Sequence, residues 1–104
     1  MKRLILPNTN CYAKIKDKQY KSFFLSAITY INSNNLLAVG GSDVGFDDVK
    51  EILSYLDIKE STIFKYQREM RKDGILRNLS YSVKVWSWFF NIEEYFTILY
   101  FTKS

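Results

Sequence analysis

The chain has 104 residues, of which 47% are hydrophobic and 17% aromatic, and this is enough apolar material for the core of one domain. The composition argues against a disordered chain, and no apolar stretch reaches the roughly 18 residues that a membrane-spanning helix needs. Histidine is absent and Cys11 is the only cysteine, so neither a disulfide within the chain nor an ordinary Cys/His zinc site can form. The commonest general base is also missing, and we expect a protein that is not an enzyme and needs no cofactor.

The net charge is +4, but the charges are unevenly distributed. Residues 1–21 contain six basic residues and one acidic residue, and residues 59–77 contain six and three. Residues 22–58 contain one basic and five acidic residues, and residues 78–104 contain two basic and two acidic residues. Two separate basic segments are what a protein that lies against phosphate groups needs. The apolar run after Arg3 ends at Pro7, too early for a signal peptide, so we expect a cytoplasmic protein.

The first twenty residues are predicted to be extended, because residues 3–6 are apolar and residues 12–16 alternate between apolar and polar side chains. From Lys21 the apolar residues follow the period of a helix, which is expected to end within residues 32–35. The stripe that this helix buries consists of Phe24, Ala27, Ile28 and Ile31.

Residues 36–39 form a short apolar run before Gly40 and are predicted to be a brief strand. A second helix is predicted to begin at Asp47 or Asp48, either of which can cap it, and Glu51 completes a capping box with Asp48. Its buried stripe consists of Val49, Ile52, Leu53 and Leu56.

Ile58 falls off the stripe of the second helix, and this requires a turn within residues 56–63. A third helix follows over about residues 59–73 and is stopped by Gly74. Its apolar face consists of Ile63, Tyr66, Gln67 and Met70. Two helices joined by a short turn form a helix-turn-helix unit.

These residues resemble the winged helix-turn-helix family of DNA-binding domains. In that family a helix that ends in leucine leads to a small or polar residue, an apolar residue and then Ser-x-x-Thr-Val. The residues that fall on this pattern in register are Leu56, Asp57, Ile58, Thr62, Ile63, Met70, Gly74, Ile75 and Leu76. The sequence departs from it at Asp57, where glycine is common, and at Lys59, where a capping serine usually stands.

The resemblance implies an α+β fold in which one domain covers residues 1–104. Its helix-turn-helix unit spans about residues 47–73, and a β-hairpin wing spans about residues 75–90. A three-helix core and a short C-terminal helix complete the predicted architecture.

The exposed face of the third helix carries the predicted DNA contacts. At 100° per residue, Ser61, Lys65, Arg68 and Lys72 lie opposite the buried stripe, and the resemblance implies that the first three lie near base edges. A solvated charged face would show the same pattern. The full set of expected DNA-binding residues is Lys59, Ser61, Thr62, Phe64, Lys65, Arg68, Arg71 and Lys72 on the helix, with Arg77 and Lys84 on the wing.

The C-terminal segment holds more aromatic side chains than one hairpin usually hides, and we expect part of it to form a homodimer interface. These side chains are Trp86, Trp88, Phe89, Phe90, Tyr95, Phe96, Tyr100 and Phe101. Asn91 and Glu94 favour a helix that continues to Leu99, although residues 95–101 can also be a strand.

The leading interpretation is a sequence-specific regulator of transcription that binds double-stranded DNA and has no evident small-molecule ligand or membrane contact. A replication module of the plasmid or phage type is an alternative, since residues 12–31 are loosely similar to such modules. A winged-helix domain that binds only protein is another. A metal-dependent nuclease using Asp43, Asp47, Asp48 and Glu51 is a fourth, weighed against the simpler role of these acids at a helix start.

Overall fold

A computed structural model describes residues 2–36, 43–77 and 88–101 of the chain. They form an α+β domain, which confirms the predicted class. None of its helices in this part of the chain is long and apolar enough to cross a membrane. In chain order the elements are β1 (Lys2–Pro7), α1 (Thr9–Lys14), α2 (Lys18–Ser33), β2 (Asp43–Val44), α3 (Phe46–Tyr55), α4 (Glu60–Lys72), β3 (Trp88–Phe89), α5 (Ile92–Tyr95) and β4 (Phe96–Phe101).

The N-terminal segment is extended only as far as Pro7, so the prediction that residues 12–16 are extended is wrong. The side chain of Asn8 accepts a hydrogen bond from the Cys11 N–H at 3.0 Å and starts α1. Cys11 and Ile15 are both buried. Their separation of four residues fits one face of a helical turn as well as it fits the alternation of a strand.

Helix α2 begins at Lys18, earlier than predicted, because Asp17 caps it through a 2.9 Å hydrogen bond from the Tyr20 N–H. The predicted stripe is confirmed and includes two further aromatic residues, Tyr20 from the earlier start and Phe23 from within the predicted helix. The buried residues of α2 are Tyr20, Phe23, Phe24, Ala27, Ile28 and Ile31.

Helix α3 begins at Phe46 with Gly45 as its N-cap, so neither Asp47 nor Asp48 caps it as predicted. Both carboxylates lie in the first turn instead, where they favour the positive end of the helix dipole. Val49 and Ile52 are buried as predicted. The strand predicted for residues 36–39 lies almost entirely outside the described residues, and Leu36 belongs to no element.

The predicted break between the second and third helices is confirmed. Helix α3 ends at Tyr55, and Asp57 takes the left-handed backbone conformation with φ of 52°. Helix α4 then begins without a side-chain cap, since the N–H groups of Thr62 and Ile63 donate to the Lys59 carbonyl at 3.0 and 3.2 Å. An aspartate at the position where the family favours glycine is therefore compatible with the turn.

Helix α4 ends at Lys72, and Gly74 follows the C-cap with φ of 82°, in its predicted role as the helix stop. The Ile75 N–H closes the helix end with a 2.9 Å hydrogen bond to the Met70 carbonyl. Ile75 and Leu76 then enter the core.

The two ends of the predicted wing lie side by side. Leu76 and Phe90 form an antiparallel bridge, and the Arg77 N–H donates to the Phe89 carbonyl at 2.7 Å. Strand β3 also pairs with β2 through Val44 and Trp88. The middle of the predicted hairpin, with Lys84, falls on residues 78–87, which lie outside the described part of the chain.

The short C-terminal helix is present as the single turn of α5, but it does not continue to Leu99, and the alternative strand is correct for residues 96–101. Strand β4 pairs antiparallel with β1, from Lys2 opposite Phe101 to Pro7 opposite Phe96. Four of the expected interface aromatics are instead buried in the core, with Phe90 and Phe96 at 5.2 Å between ring centres. Those four are Trp88, Phe90, Tyr95 and Phe96.

The left-handed conformation of Asp57 predicts an asymmetric response to substitution. Asp57→Val is expected to lower the free energy of unfolding by about 1–2 kcal/mol, because a β-branched residue is strained there. Asp57→Gly is expected to change it by less than about 1 kcal/mol in either direction, since glycine removes the strain but gains freedom in the unfolded chain. The Asp57 side chain is exposed, so neither change removes a buried contact. Urea unfolding followed by circular dichroism measures both, and equal losses would contradict the assignment.

Candidate nucleic-acid interface

One face of α4 is anchored in the core. Ile63, Tyr66, Gln67 and Met70 are all buried, as the sequence predicted. The Tyr66 ring stacks on Phe23 of α2 at 4.7 Å and on Tyr20 at 5.8 Å between ring centres. These aromatic contacts hold α4 against α2 and set which side of α4 faces outward.

The hydroxyl group of Tyr20 belongs to this buried contact. Burial strongly raises the pKa of Tyr20, and the nearby Asp73 carboxylate raises it further. The hydroxyl oxygen is buried close to the Asp73 carboxylate. Tyr20 is thus a neutral packing group at the end of α4, and we assign it no chemical role.

The opposite face of α4 is fully presented to solvent. Ser61, Lys65, Arg68 and Lys72 are all exposed. They lie within about 60° of one another around the helix and extend over about 16 Å of its length. This basic stripe is defined by those four residues, and its orientation agrees with the sequence prediction.

The other predicted contact residues divide into two groups. Lys59 is exposed at the N-cap of α4, and Arg77 is exposed where the chain leaves the bridge to Phe90. Thr62 is half-buried and lines a recess of about 370 Å³ against α2, so it faces sideways and not outward. Phe64 and Arg71 are also half-buried, and burial lowers the pKa of the Arg71 guanidinium.

The acidic residues of α4, Glu60 and Glu69, lie on opposite sides of the basic stripe. Glu69 and Lys65 line a recess of about 230 Å³ together with Tyr20 and Tyr66 of the α2–α4 contact. Glu60 is exposed in the first turn, where it favours the helix dipole. The stripe itself therefore contains three cations and a serine but no carboxylate.

A second basic group, absent from the predicted site, lies beside α4. Asp17 lines the same recess as Lys65, and this brings the start of α2 next to the basic stripe. Four exposed lysines surround Asp17 along the chain, and one of them, Lys21, has its Nζ 5.8 Å from the centre of the Tyr12 ring. The excess of positive charge in residues 1–21 was the signal that could have found them. We call Lys14, Lys16, Lys18 and Lys21 the lysine arm.

The acidic residues considered for a metal site lie around the start of α3. Asp47 and Glu51 are exposed and Asp48 is half-buried. Within residues 2–36, 43–77 and 88–101, no three His, Cys, Asp or Glu side chains come together in a way that could hold a metal ion. We therefore assign these acids to the start of the helix and derive no chemistry from them.

No known protein family, curated protein or solved structure matches this chain. The function is therefore inferred from the geometry and charge of α4 and the lysine arm.

The buried thiol of Cys11 is expected to be unreactive in the folded protein. Burial, and to a smaller extent Asp73, raise the pKa of Cys11 to about 12. Since the thiolate is the reactive form, iodoacetamide at pH 8 should label Cys11 only after urea has unfolded the chain. Mass spectrometry at increasing urea measures this, and rapid labelling of the native protein would contradict the packing of α1.

Proposed function

We propose that this chain is a winged helix-turn-helix protein that binds double-stranded DNA through the basic stripe of α4, as a regulator of transcription. The observation that supports this most is the combination of a confirmed turn at Asp57 with outward-facing Lys65 and Arg68. A helix that is anchored on one side and basic on the other has the dimensions and charge to enter a major groove.

The side chains of the stripe suit different parts of the DNA. The planar guanidinium of Arg68 can donate two hydrogen bonds to O6 and N7 of a guanine, and Lys65 can donate to the same atoms. Ser61, near the start of α4, can donate to or accept from several bases. In helix-turn-helix proteins the first residues of the reading helix contact base edges, which favours Ser61 and Lys65 as the deepest contacts.

The lysine arm suits the phosphate backbone beside the groove. Its four lysines are exposed, and all of them lie within four residues of Asp17, which lines the same recess as Lys65. Phosphate contacts orient a protein on DNA and strengthen binding without selecting the sequence. The same role is proposed for Arg77 and Lys84, which belong to the wing predicted for about residues 75–90.

We propose that the regulator acts as a homodimer through the end of its C-terminal strand, where Tyr100 and Phe101 are exposed. A role in starting replication would use the same DNA-binding surface. The two roles differ in the cellular process and not in the contacts with DNA.

Removing single cations from the basic stripe is expected to weaken DNA binding. On a duplex selected by the wild-type chain from a random pool, Lys65→Ala and Arg68→Ala should each cost about 1–3 kcal/mol. Lys50→Ala removes the same charge from an exposed site on acidic α3 and should cost less than about 0.5 kcal/mol. Fluorescence anisotropy measures all three, with circular dichroism to verify folding. Equal losses in the three variants, or no binding by the wild type, would contradict the proposed function.

The lysine arm is expected to control the salt dependence of binding. The double change Lys16→Ala and Lys18→Ala should reduce the slope of log K against log salt by about 2, because two phosphate contacts are lost. The reduction should be the same on the selected duplex and on a scrambled one, since phosphates carry no sequence information. A salt slope equal to that of the wild type would show that the arm does not touch DNA.

A further inference from the structure

In the two-stranded ribbon formed by β1 and β4, the hydrogen-bond register determines which way each backbone N–H and C=O group points. The Asn8 N–H donates to the Tyr95 carbonyl at 2.9 Å, at the end of the ribbon. In an antiparallel pair the residues alternate between facing the partner strand and facing away. The register of β1 and β4 then makes Thr97, Leu99 and Phe101 face β1, while Phe96, Ile98 and Tyr100 present their N–H and C=O groups to the outer edge of β4.

The outer edge of β1 is closed by a side chain of α2. Asn32 accepts a hydrogen bond from the Ile5 N–H at 2.8 Å through Oδ1 and donates to the Ile5 carbonyl at 3.0 Å through Nδ2. The amide thus takes the place that a neighbouring strand would occupy. A further strand cannot pair at Ile5 unless this contact is broken.

Beyond its first residue, the outer edge of β4 has no such closure from any residue that the structure describes. The Phe96 N–H donates to the Ile92 carbonyl of α5, but Ile98 and Tyr100 have no partner for their outward groups among the described residues. Edge strands are normally protected by charged residues, proline or bulges. The sequence of β4, Phe-Thr-Ile-Leu-Tyr-Phe, contains no charge and no proline.

Apolar side chains also remain exposed on this ribbon. Leu6 is 40% exposed, Leu99 39%, Tyr100 59% and Phe101 47%. Leu6, Leu99 and Phe101 lie on the face of the ribbon that points away from the core, since Ile5 and Phe96 occupy the other face and are buried. The open edge of β4 and an exposed apolar surface therefore coincide.

We propose that two copies of this chain pair their β4 strands antiparallel across a two-fold axis at Leu99, which joins the two ribbons into a four-stranded sheet. This inference rests on the self-association included in the proposed function and specifies its surface and register. It does not depend on DNA binding.

The free backbone groups determine the register. A two-fold axis at Leu99 places Ile98 opposite Tyr100 of the partner and Tyr100 opposite Ile98 of the partner. Each of these pairs can then exchange two hydrogen bonds. An axis at Ile98 would instead require the Phe96 N–H, which is already bonded to Ile92. The axis at Leu99 is the one that uses both open residues and leaves α5 intact.

The partner that best fits the outer edge of β4 is a second copy of this chain. The two open residues are complementary to themselves across a two-fold axis, so the same patch serves both subunits. Because Asn32 closes the edge of β1, pairing stops at two chains and does not continue into a fibre.

The surface available for this contact is small. The exposed parts of Leu99, Tyr100 and Phe101 amount to about 300 Å² per subunit, against about 800 Å² in a standard interface. We expect a weak dimer whose population rises with protein concentration.

A pair of cysteine variants tests the register directly. In the proposed dimer the two Leu99 Cα atoms are about 4.5 Å apart, which a disulfide can span. Leu99→Cys should therefore form a covalent dimer under oxidised glutathione, as seen on a non-reducing gel. Leu6→Cys is equally exposed on the same face of the ribbon but lies more than about 14 Å from its counterpart, and it should remain monomeric. The wild type, whose only thiol is the buried Cys11, is the blank.

Charge complementation at the axis gives a second test that does not use oxidation. Leu99→Lys and Leu99→Glu should each be monomeric in sedimentation velocity at concentrations where the wild type dimerises, because like charges meet at the axis. A mixture of the two variants should regain the dimer. Folding of each variant is verified by circular dichroism.

The outcomes separate this inference from the proposed function. A dimer that forms without a Leu99 disulfide, or with equal cross-linking through Leu6→Cys, overturns the β4 pairing but leaves self-association intact. A wild type that stays monomeric at every concentration overturns both the β4 pairing and the proposed homodimer. Loss of DNA binding alone changes neither the disulfide test nor the charge test.

Discussion

The left-handed backbone at Asp57 is the constraint on which the candidate interface depends. It ends α3 at Tyr55 and lets α4 start on a new axis at Glu60. On that axis Tyr66 stacks between the aromatic rings of α2, and each such contact contributes about 0.5–1.5 kcal/mol beyond simple burial. The same rotation that buries Tyr66 turns Lys65 and Arg68 outward, so the anchoring of α4 and the exposure of its basic stripe have a single cause.

Several hydrogen bonds between the other elements come from asparagine side chains. These side chains pair with backbone groups that have no backbone partner in the described part of the chain. Asn32 closes the edge of β1, and Asn8 both caps α1 and donates to the Glu94 carbonyl at 2.9 Å. Asn91 donates to the Gly74 carbonyl at 3.2 Å, which ties the end of α4 to the segment before β4. Apart from the α1 cap, these bonds connect residues far apart in the sequence. Among the described residues, no comparable side chain covers the outer edge of β4.

The sequence predicted those elements whose signal is local. The apolar periods of α2, α3 and α4, the turn at Asp57 and the stop at Gly74 all arise from residues within a few positions of one another. Strand β4 could not be predicted in this way, because its partner β1 lies at the opposite end of the chain and its apolar spacing also fits a helix. The lysine arm was recognised as a charge excess but not as part of the site, since only the packing of α2 on α4 brings it beside Lys65.

We propose that one face of α4 binds DNA while the other is held by α2. An amide proton–nitrogen correlation spectrum, recorded while duplex DNA is added, tests it most directly. We predict that the largest shift changes fall on residues 59–72 and on the lysine arm, and that β4 amides change little. Large changes confined to β4, or a spectrum that DNA does not alter, would contradict the claim.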